Sequence, residues 1–299
     1  MSLPNTIALI GCGVMGHAIG TRLCDVGEHL TVFDLDDAKI QALVSKGAKA
    51  AESAADASRA SDFVILSLNS APIVRDAVFG EAGVAKTARP GTMIIDMSSI
   101  DPPSTRTFSK DAQAQRLRWL DCPLSGGAPK ALTGELTVMA GGSIDDFTES
   151  QAVMNHLCIN YTHMGPSGAG QTTKLINQVL CALHFMAIAE ATQLALDAGV
   201  DAAKIPDAIR GGRADSAILQ EFMAKFAARD YTPTGRIDNM VKDLNGVQAL
   251  ARETGTAMPL TATCTEIHRL MMSAGFGDAD NAVLMKYFEG PNADGLPTN

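Results

Sequence analysis

The sequence predicts an α/β protein in two parts: a doubly wound, mostly parallel sheet with helices on both faces, then an all-helical region built on one long central helix. Three observations predict it. Short apolar runs alternate with helical patterns from Thr6 to His163. A G-x-G-x-x-G segment, Gly11-Cys12-Gly13-Val14-Met15-Gly16, joins the first apolar run to the first helical pattern. From Gly168 onward only helical periodicity remains, and the boundary is expected at residues 164/165.

Taken in order, Thr6–Ile10 reads as a short buried strand. The glycine segment follows at once, then a helix from His17 to Val26, ended by Gly27, then a strand from Leu30 to Phe33 with Asp34 at its end. This is the first βαβ unit of a Rossmann-type, dinucleotide-binding domain. Gly11 is expected to allow the tight turn, Gly13 to let the backbone approach a pyrophosphate, and Gly16 to let helix pack closely on strand. Val14 and Met15, inside the segment, are candidates to contact the cofactor, and the N-terminus of the following helix faces the phosphates. Asp34 is expected to accept hydrogen bonds from the adenosine ribose hydroxyls and to repel a 2′-phosphate. No arginine follows it directly, the next residues being Leu35, Asp36 and Asp37, so NAD is expected over NADP. Asp36 is better read as a helix cap.

The alternation continues with a helix over Lys39–Lys46, strands over Ala48–Ala50 and Phe63–Leu68, a helix over Pro72–Phe79 and a strand over Thr92–Asp96. Ligands bind beyond the carboxyl ends of such strands, which makes Leu68, Asn69 and Ser99 candidates to line the cofactor riboses. Asp101-Pro102-Pro103 opens the next helix, with prolines in the tolerated first turn. After a strand at Arg118–Asp121 comes Cys122-Pro-Leu-Ser125-Gly126-Gly127-Ala-Pro-Lys130-Ala-Leu-Thr-Gly134, in which neither strand nor helix is read. A serine followed by two glycines exposes a hydroxyl and backbone N–H groups together, an arrangement that can cradle a carboxylate. Strands at Leu136–Met139 and Ile159–His163 flank a helix at Asp145–Asn155.

The second part begins with a glycine-rich turn, Gly165–Gly170, and an apolar helical pattern over Thr172–Ala198, about 27 residues or roughly 40 Å. Lys174 and Asn177 lie three apart on it, hence on one face. A helix apolar all round belongs at the centre of a domain or at an oligomer interface. Further helices are expected at Ala202–Arg210, Ser216–Ala228, Asn239–Glu253, Leu260–Ser273 and Asn281–Phe288, with a frayed tail from Gly290.

The bulk numbers narrow the function. With 299 residues, 46% hydrophobic and 19% charged, the chain can build a substantial core. A net charge of -9 argues against nucleic-acid partners. The six cysteines form no C-x-x-C pair and read as reduced, packed thiols. Neither they nor the histidines have metal-ligand spacing, so no metal is expected. No signal peptide is visible and no apolar run approaches a membrane span, so a cytoplasmic enzyme without a membrane partner is expected.

Four motifs in order give the chain a family resemblance: Gly11–Gly16; the D-x-P-x-S-G-G segment from Asp121; the G-x-G-x-x-x-K-x-x-N segment Gly168–Asn177; and Lys242-Asp243-Leu244 followed by Pro259. Together they resemble the β-hydroxyacid dehydrogenases, which include 3-hydroxyisobutyrate dehydrogenase, tartronate semialdehyde reductase and threonate dehydrogenase. The form S-G-G-x-x-K, with G-E-L-T-V-M-A-G-G following, looks most like the threonate dehydrogenase branch and some tartronate semialdehyde reductases. The resemblance implies that Lys174 is catalytic, that Ser125, Gly126, Gly127 and Asn177 bind substrate, and that Lys242 lies on the nicotinamide side of NAD. It also implies an oligomer, a homodimer or homotetramer. Many relatives have asparagine where Gln178 stands and glycine where Lys130 stands, so these two are candidates to read the substrate. Arg213 and Arg236 are weaker candidates for a carboxylate.

The expected chemistry is oxidation of a small 3-hydroxy acid of three or four carbons. The nicotinamide accepts hydride and Lys174 takes the hydroxyl proton. An ordinary lysine, at about 10.4, is a poor base at neutral pH. Burial beside an oxidised nicotinamide is expected to bring it toward roughly 7–8. Two other readings are an imine reductase, which usually lacks the lysine, and a catalytically silent cofactor-binding scaffold, which would be expected to lose it.

Overall fold

The computed structural model describes residues 5–289; the tail 290–299 lies outside the described residues. These residues form two compact units that divide between Lys174 and Leu175.

The first unit alternates strand and helix as its apolar runs require. Its elements are β1 (Thr6–Ile10), α1 (Val14–Asp25), β2 (His29–Phe33), α2 (Asp37–Val44), β3 (Lys49–Ala50), α3 (Ala54–Ser58), β4 (Phe63–Leu66), α4 (Ala71–Phe79), β5 (Met93–Asp96), α5 (Pro102–Ala114) and β6 (Arg118–Asp121). Then come β7 (Leu124–Ser125), α6 (Gly127–Thr133), β8 (Leu136–Gly141), α7 (Ile144–Met154) and β9 (Cys158–Gly165), before the long helix α8 (Ala169–Asp197). Six strands are parallel in the order β3-β2-β1-β4-β5-β6, and β8 joins β6 in antiparallel fashion. The order reverses beside β1, which opens the ligand crevice of doubly wound sheets.

Strand alternation explains the two faces. Ile7, Leu9, Phe63, Ile65, Met93 and Ile95 pack into one core with α1 and α2 residues. Their neighbours Ala8, Ile10, Val64, Leu66 and Ile94 pack into a second core with α4 and α5 residues. A side-chain period of two on strands buried from both sides dictates this split.

Two expectations are corrected. The Cys122–Gly134 stretch, in which neither strand nor helix is read from sequence, contains β7 and α6. Ala128, Pro129, Ala131 and Leu132 suit a short helix with proline in its first turn, and left-handed Gly134 (φ 74) closes it. The run is too short for its periodicity to be read. The second correction concerns α8. Its 29 residues are long and apolar enough to cross a membrane by length and composition, with 33% of its most apolar window buried. The core helix of a soluble protein passes the same test.

In the second unit, α8 continues through Leu175 and is followed by α9 (Ile205–Ala208), α10 (Ala217–Ala227), α11 (Ile237–Thr254), α12 (Pro259–Met271) and α13 (Met285–Phe288). Ala182, Phe185, Ile188 and Ala189 of α8 pack with Phe222, Phe226, Leu244 and Leu284. The opposite face leaves Ile176 (55%), Leu180 (56%) and Leu194 (70%) exposed.

Candidate active site

The glycine loop in the first unit is built by three different constraints. Gly11 sits at φ +93, and a Cβ there would lie 2.4 Å from Ser67 O. A Cβ on Gly16 would lie 1.9 Å from Gly11 O, so only glycine lets α1 close onto the loop. Gly13 is unlike both: its φ is -62, and a Cβ would meet nothing within 4 Å. Nothing within the chain calls for glycine at that position; a ligand lying against the backbone would. Gly13 is also the N-cap of α1 and makes no side-chain cap bond, so the positive helix end is open to a pyrophosphate. The loop therefore fits a dinucleotide. Val14 beside it is 79% exposed.

Asp34 stands at the end of β2. Its Oδ2 accepts the Cys12 N–H at 2.7 Å and its Oδ1 accepts the Asp36 N–H at 3.0 Å, which fixes the carboxylate at the lip of the loop. Lys39 of α2, a cation that no sequence motif marks, lies 3.8 Å from Asp34 Oδ1 and 3.5 Å from Asp36 Oδ2. Asp36 caps α2, as expected. Leu68 packs beside the glycine loop, and its N–H donates to Ser98 Oγ at 3.0 Å. Asn69 is exposed and Ser99 half-buried beyond the ends of β4 and β5.

Ser125 ends β7, pairing with Thr137 of β8. Gly126 (φ 121) and Gly127 (φ 67) both occupy left-handed backbone, which turns the chain sharply into α6. Lys130 follows on α6, where its ammonium meets Glu135 Oε2 at 2.7 Å.

Lys174 is half-buried, one turn inside α8. The start of α8 is held by a residue remote in sequence. Asp121, fully buried at the end of β6, accepts the Gly168 N–H at 2.8 Å and the Gln171 N–H at 3.0 Å. Two glycines crowd this carboxylate, and a third donates its N–H to it from left-handed backbone. A Cβ on Gly141 would lie 2.6 Å from Asp121 Oδ1, one on Gly170 would lie 2.8 Å from Asp121 Oδ2, and Gly168 (φ +91) is left-handed. The glycines of the G-x-G-x-x-x-K segment thus serve the docking of α8 on the sheet.

Asp96 lies directly across from Asp121 in the β5–β6 register and is also fully buried. Burial pushes its carboxyl up to about 7; hydrogen bonding from Ser98 opposes this and the negative Asp121 adds to it. Burial raises Asp121 as well, against its amide hydrogen bonds. No local pattern marks either acid for this role, because strand register is what makes them neighbours.

In the second unit, Asn177 Nδ2 donates to Gln178 Oε1 at 2.9 Å, and Gln178 Nε2 donates to Asp243 Oδ2 at 2.6 Å. Lys242 Nζ lies 3.5 Å from Asp243 Oδ1. Arg236 pairs with Asp238 and Asp278 on the surface, and Arg213 is exposed in a turn.

Comparison with known proteins gives the family and the fold. The family model described as the NAD binding domain of 6-phosphogluconate dehydrogenase matches residues 6–165. The one described as NAD-binding of NADP-dependent 3-hydroxyisobutyrate dehydrogenase matches residues 168–288. The 2-hydroxy-3-oxopropionate reductase of Escherichia coli is 33% identical, over 95% of this chain and 97% of that protein. The NAD-dependent L-serine dehydrogenase of Pseudomonas aeruginosa is 32% identical over the same shares. The structure of Mycobacterium tuberculosis 3-hydroxyisobutyrate dehydrogenase with L-serine superposes with a TM-score of 0.87 at 27% identity, covering 96% of this chain and all of that one. An imine reductase from Pseudomonas sp., at 21% identity and a TM-score of 0.61, shares the fold alone. The chain belongs to the β-hydroxyacid dehydrogenase family. It is an oxidoreductase acting on CH–OH groups with a nicotinamide cofactor.

Proposed function

We propose that this enzyme interconverts a small 3-hydroxy acid and its carbonyl product, with Lys174 as the proton-transfer group and NAD as the preferred cofactor. The substrate class is a three- or four-carbon acid such as glycerate (with tartronate semialdehyde as its product), threonate or 3-hydroxyisobutyrate. The observation that carries this reading is the rooting of α8. Asp121 fixes the first turn of that helix on the cofactor unit, and Lys174 follows one turn later.

The bound nicotinamide supplies the hydride acceptor and, in reverse, the donor. Gly11, Gly13, Val14, Met15 and Gly16 hold the pyrophosphate; Asp34, Leu68, Asn69 and Ser99 line the riboses, and Lys242 contributes at the nicotinamide side. Asp34 favours NAD because a 2′-phosphate would meet its carboxylate. Ser125 Oγ and the Gly126 and Gly127 N–H groups hold the substrate carboxylate. Lys174 Nζ takes the proton of the substrate hydroxyl during oxidation and returns it to the carbonyl oxygen during reduction. Asn177, one helical turn on, orients that oxygen. Lys130 and Gln178 shape the acid's remaining end. A homo-oligomer would cover Ile176, Leu180 and Leu194.

The test compares wild type with Lys174→Ala on a panel of hydroxy acids with NAD. Loss of about 10²–10⁴ in kcat is expected for removal of a general base. Full turnover by the variant would overturn the mechanism. A kcat/KM as high with NADP would overturn the cofactor preference.

A further inference from the structure

We propose that Asp121 and Gln171 are positioning residues, a clip that sets the Ser98–Ile100 loop against the helical turn carrying Lys174. The inference rests on the role proposed above for that lysine.

Gln171 is almost wholly buried, at 1% exposure. Its side-chain amide is spent at both ends on one loop: Nε2 donates to Ser98 O at 2.7 Å, and Oε1 accepts the Ile100 N–H at 3.3 Å. These bonds bracket Ser99, a proposed cofactor residue. The same residue's backbone N–H donates to Asp121. Gln171 therefore ties the end of β6, the loop after β5 and the first turn of α8 together. Lys174 lies three residues further, on the same helical face.

Asp121 suits the junction chemically. An ionised carboxylate only accepts, so it satisfies two N–H groups at the positive end of α8. Asparagine would turn an NH₂ donor toward one of them. The surroundings are stiff. A Cβ on Gly170 would lie 2.5 Å from Met139 O and 2.6 Å from Asp121 O, so α8 rests directly on strand backbone. With no flexible side chain between, a shift of this turn is passed on to Lys174. Misplacement by about 1 Å can cost on the order of 10²-fold in rate.

A double-mutant cycle separates positioning from general damage. Gln171→Met keeps the volume and removes both loop bonds; Gln171→Glu keeps only the acceptor for Ile100. With NAD and the fastest acid of the panel, each is expected to lower kcat about 10–100-fold and to change KM for the acid less than about threefold. In a Lys174→Ala background, Gln171→Met should change the residual rate less than about twofold, because its effect acts through the lysine. In cofactor-free protein, the Ile100 amide should exchange at least about tenfold faster in Gln171→Met. Equal losses with and without Lys174, or unchanged kcat and exchange, would overturn the clip. If Gln171→Met does not fold, Gln171→Glu run through the same cycle decides. Full turnover by Lys174→Ala alone would instead overturn the lysine's role, so the two failures are distinguishable.

Discussion

Gln178 on α8 donates its side-chain amide to the Asp243 carboxylate on α11 across 2.6 Å. Two motif segments, the lysine-bearing helix and the Lys242-Asp243-Leu244 run, meet in that bond. Gln178 also accepts from Asn177 Nδ2 at 2.9 Å, so the glutamine orients the asparagine proposed to hold the substrate oxygen. A residue expected from sequence to read the substrate thus has a second task inside the helical unit.

This makes Gln178 a stability residue as well. Gln178→Met would take away a charge-assisted bond from Asp243, whose side chain is only 14% exposed. The expected loss is about 1.5–3 kcal/mol, read by urea denaturation. A variant of wild-type stability with only a raised KM would mean that Gln178 serves substrate alone.

Gly13 and Gly16 are expected to fail in different ways. Gly13→Ala meets no protein atom within 4 Å, so its stability should stay within about 1 kcal/mol of wild type while the Kd for NADH rises about tenfold or more. Gly16→Ala places a methyl on Gly11 O and should destabilise the fold by about 1–3 kcal/mol or more. Calorimetry and NADH fluorescence titration check the pair. Tight NADH binding by Gly13→Ala would remove the argument that this glycine exists for a ligand.

Asp34→Ser tests the cofactor choice. Losing the carboxylate removes acceptors for ribose hydroxyls, worth about 1.5–3 kcal/mol, and the repulsion of a 2′-phosphate. The kcat/KM ratio of NAD to NADP should fall by roughly 10–100-fold. Lys39, 3.8 Å from Asp34 Oδ1, would then face the phosphate. A ratio that does not move would assign the preference elsewhere.

Asp96 predicts a pH dependence of stability. Burial pushes its carboxyl up to about 7 in the fold, while an unfolded aspartate titrates near 3.9. The folded state thus holds a proton that the unfolded chain releases. This contribution is full below about pH 4 and is lost as pH rises to about 7, on the order of a few kcal/mol. Asp121, raised in the same direction, adds to the slope. Asp96→Asn should flatten the fall in unfolding free energy between pH 5 and 7, leaving the share of Asp121. An unchanged slope would show that Asp96 does not titrate in this window.

The sequence by itself determined the architecture and the motif residues. Runs such as Phe63–Leu66 and Met93–Asp96, too short for helices and bounded by turn residues, could only be buried strands. The glycine spacing in Gly11–Gly16 marked the cofactor loop, and Asp34 fell at the expected strand end. Local chemistry was enough for these, because each depends on neighbours within a few residues. Short α6 escaped, having too few residues to display a period. Only the tertiary structure decided what the buried acids do. Asp121 meets Gly168 and Gln171 across 47 and 50 residues, and Gln178 meets Asp243 across 65. Strand register brings Asp96 beside Asp121, and helix packing brings α11 beside α8. No local propensity encodes such pairings. They arise when the apolar faces close, leaving each buried polar group to find its partner wherever the packing has put one.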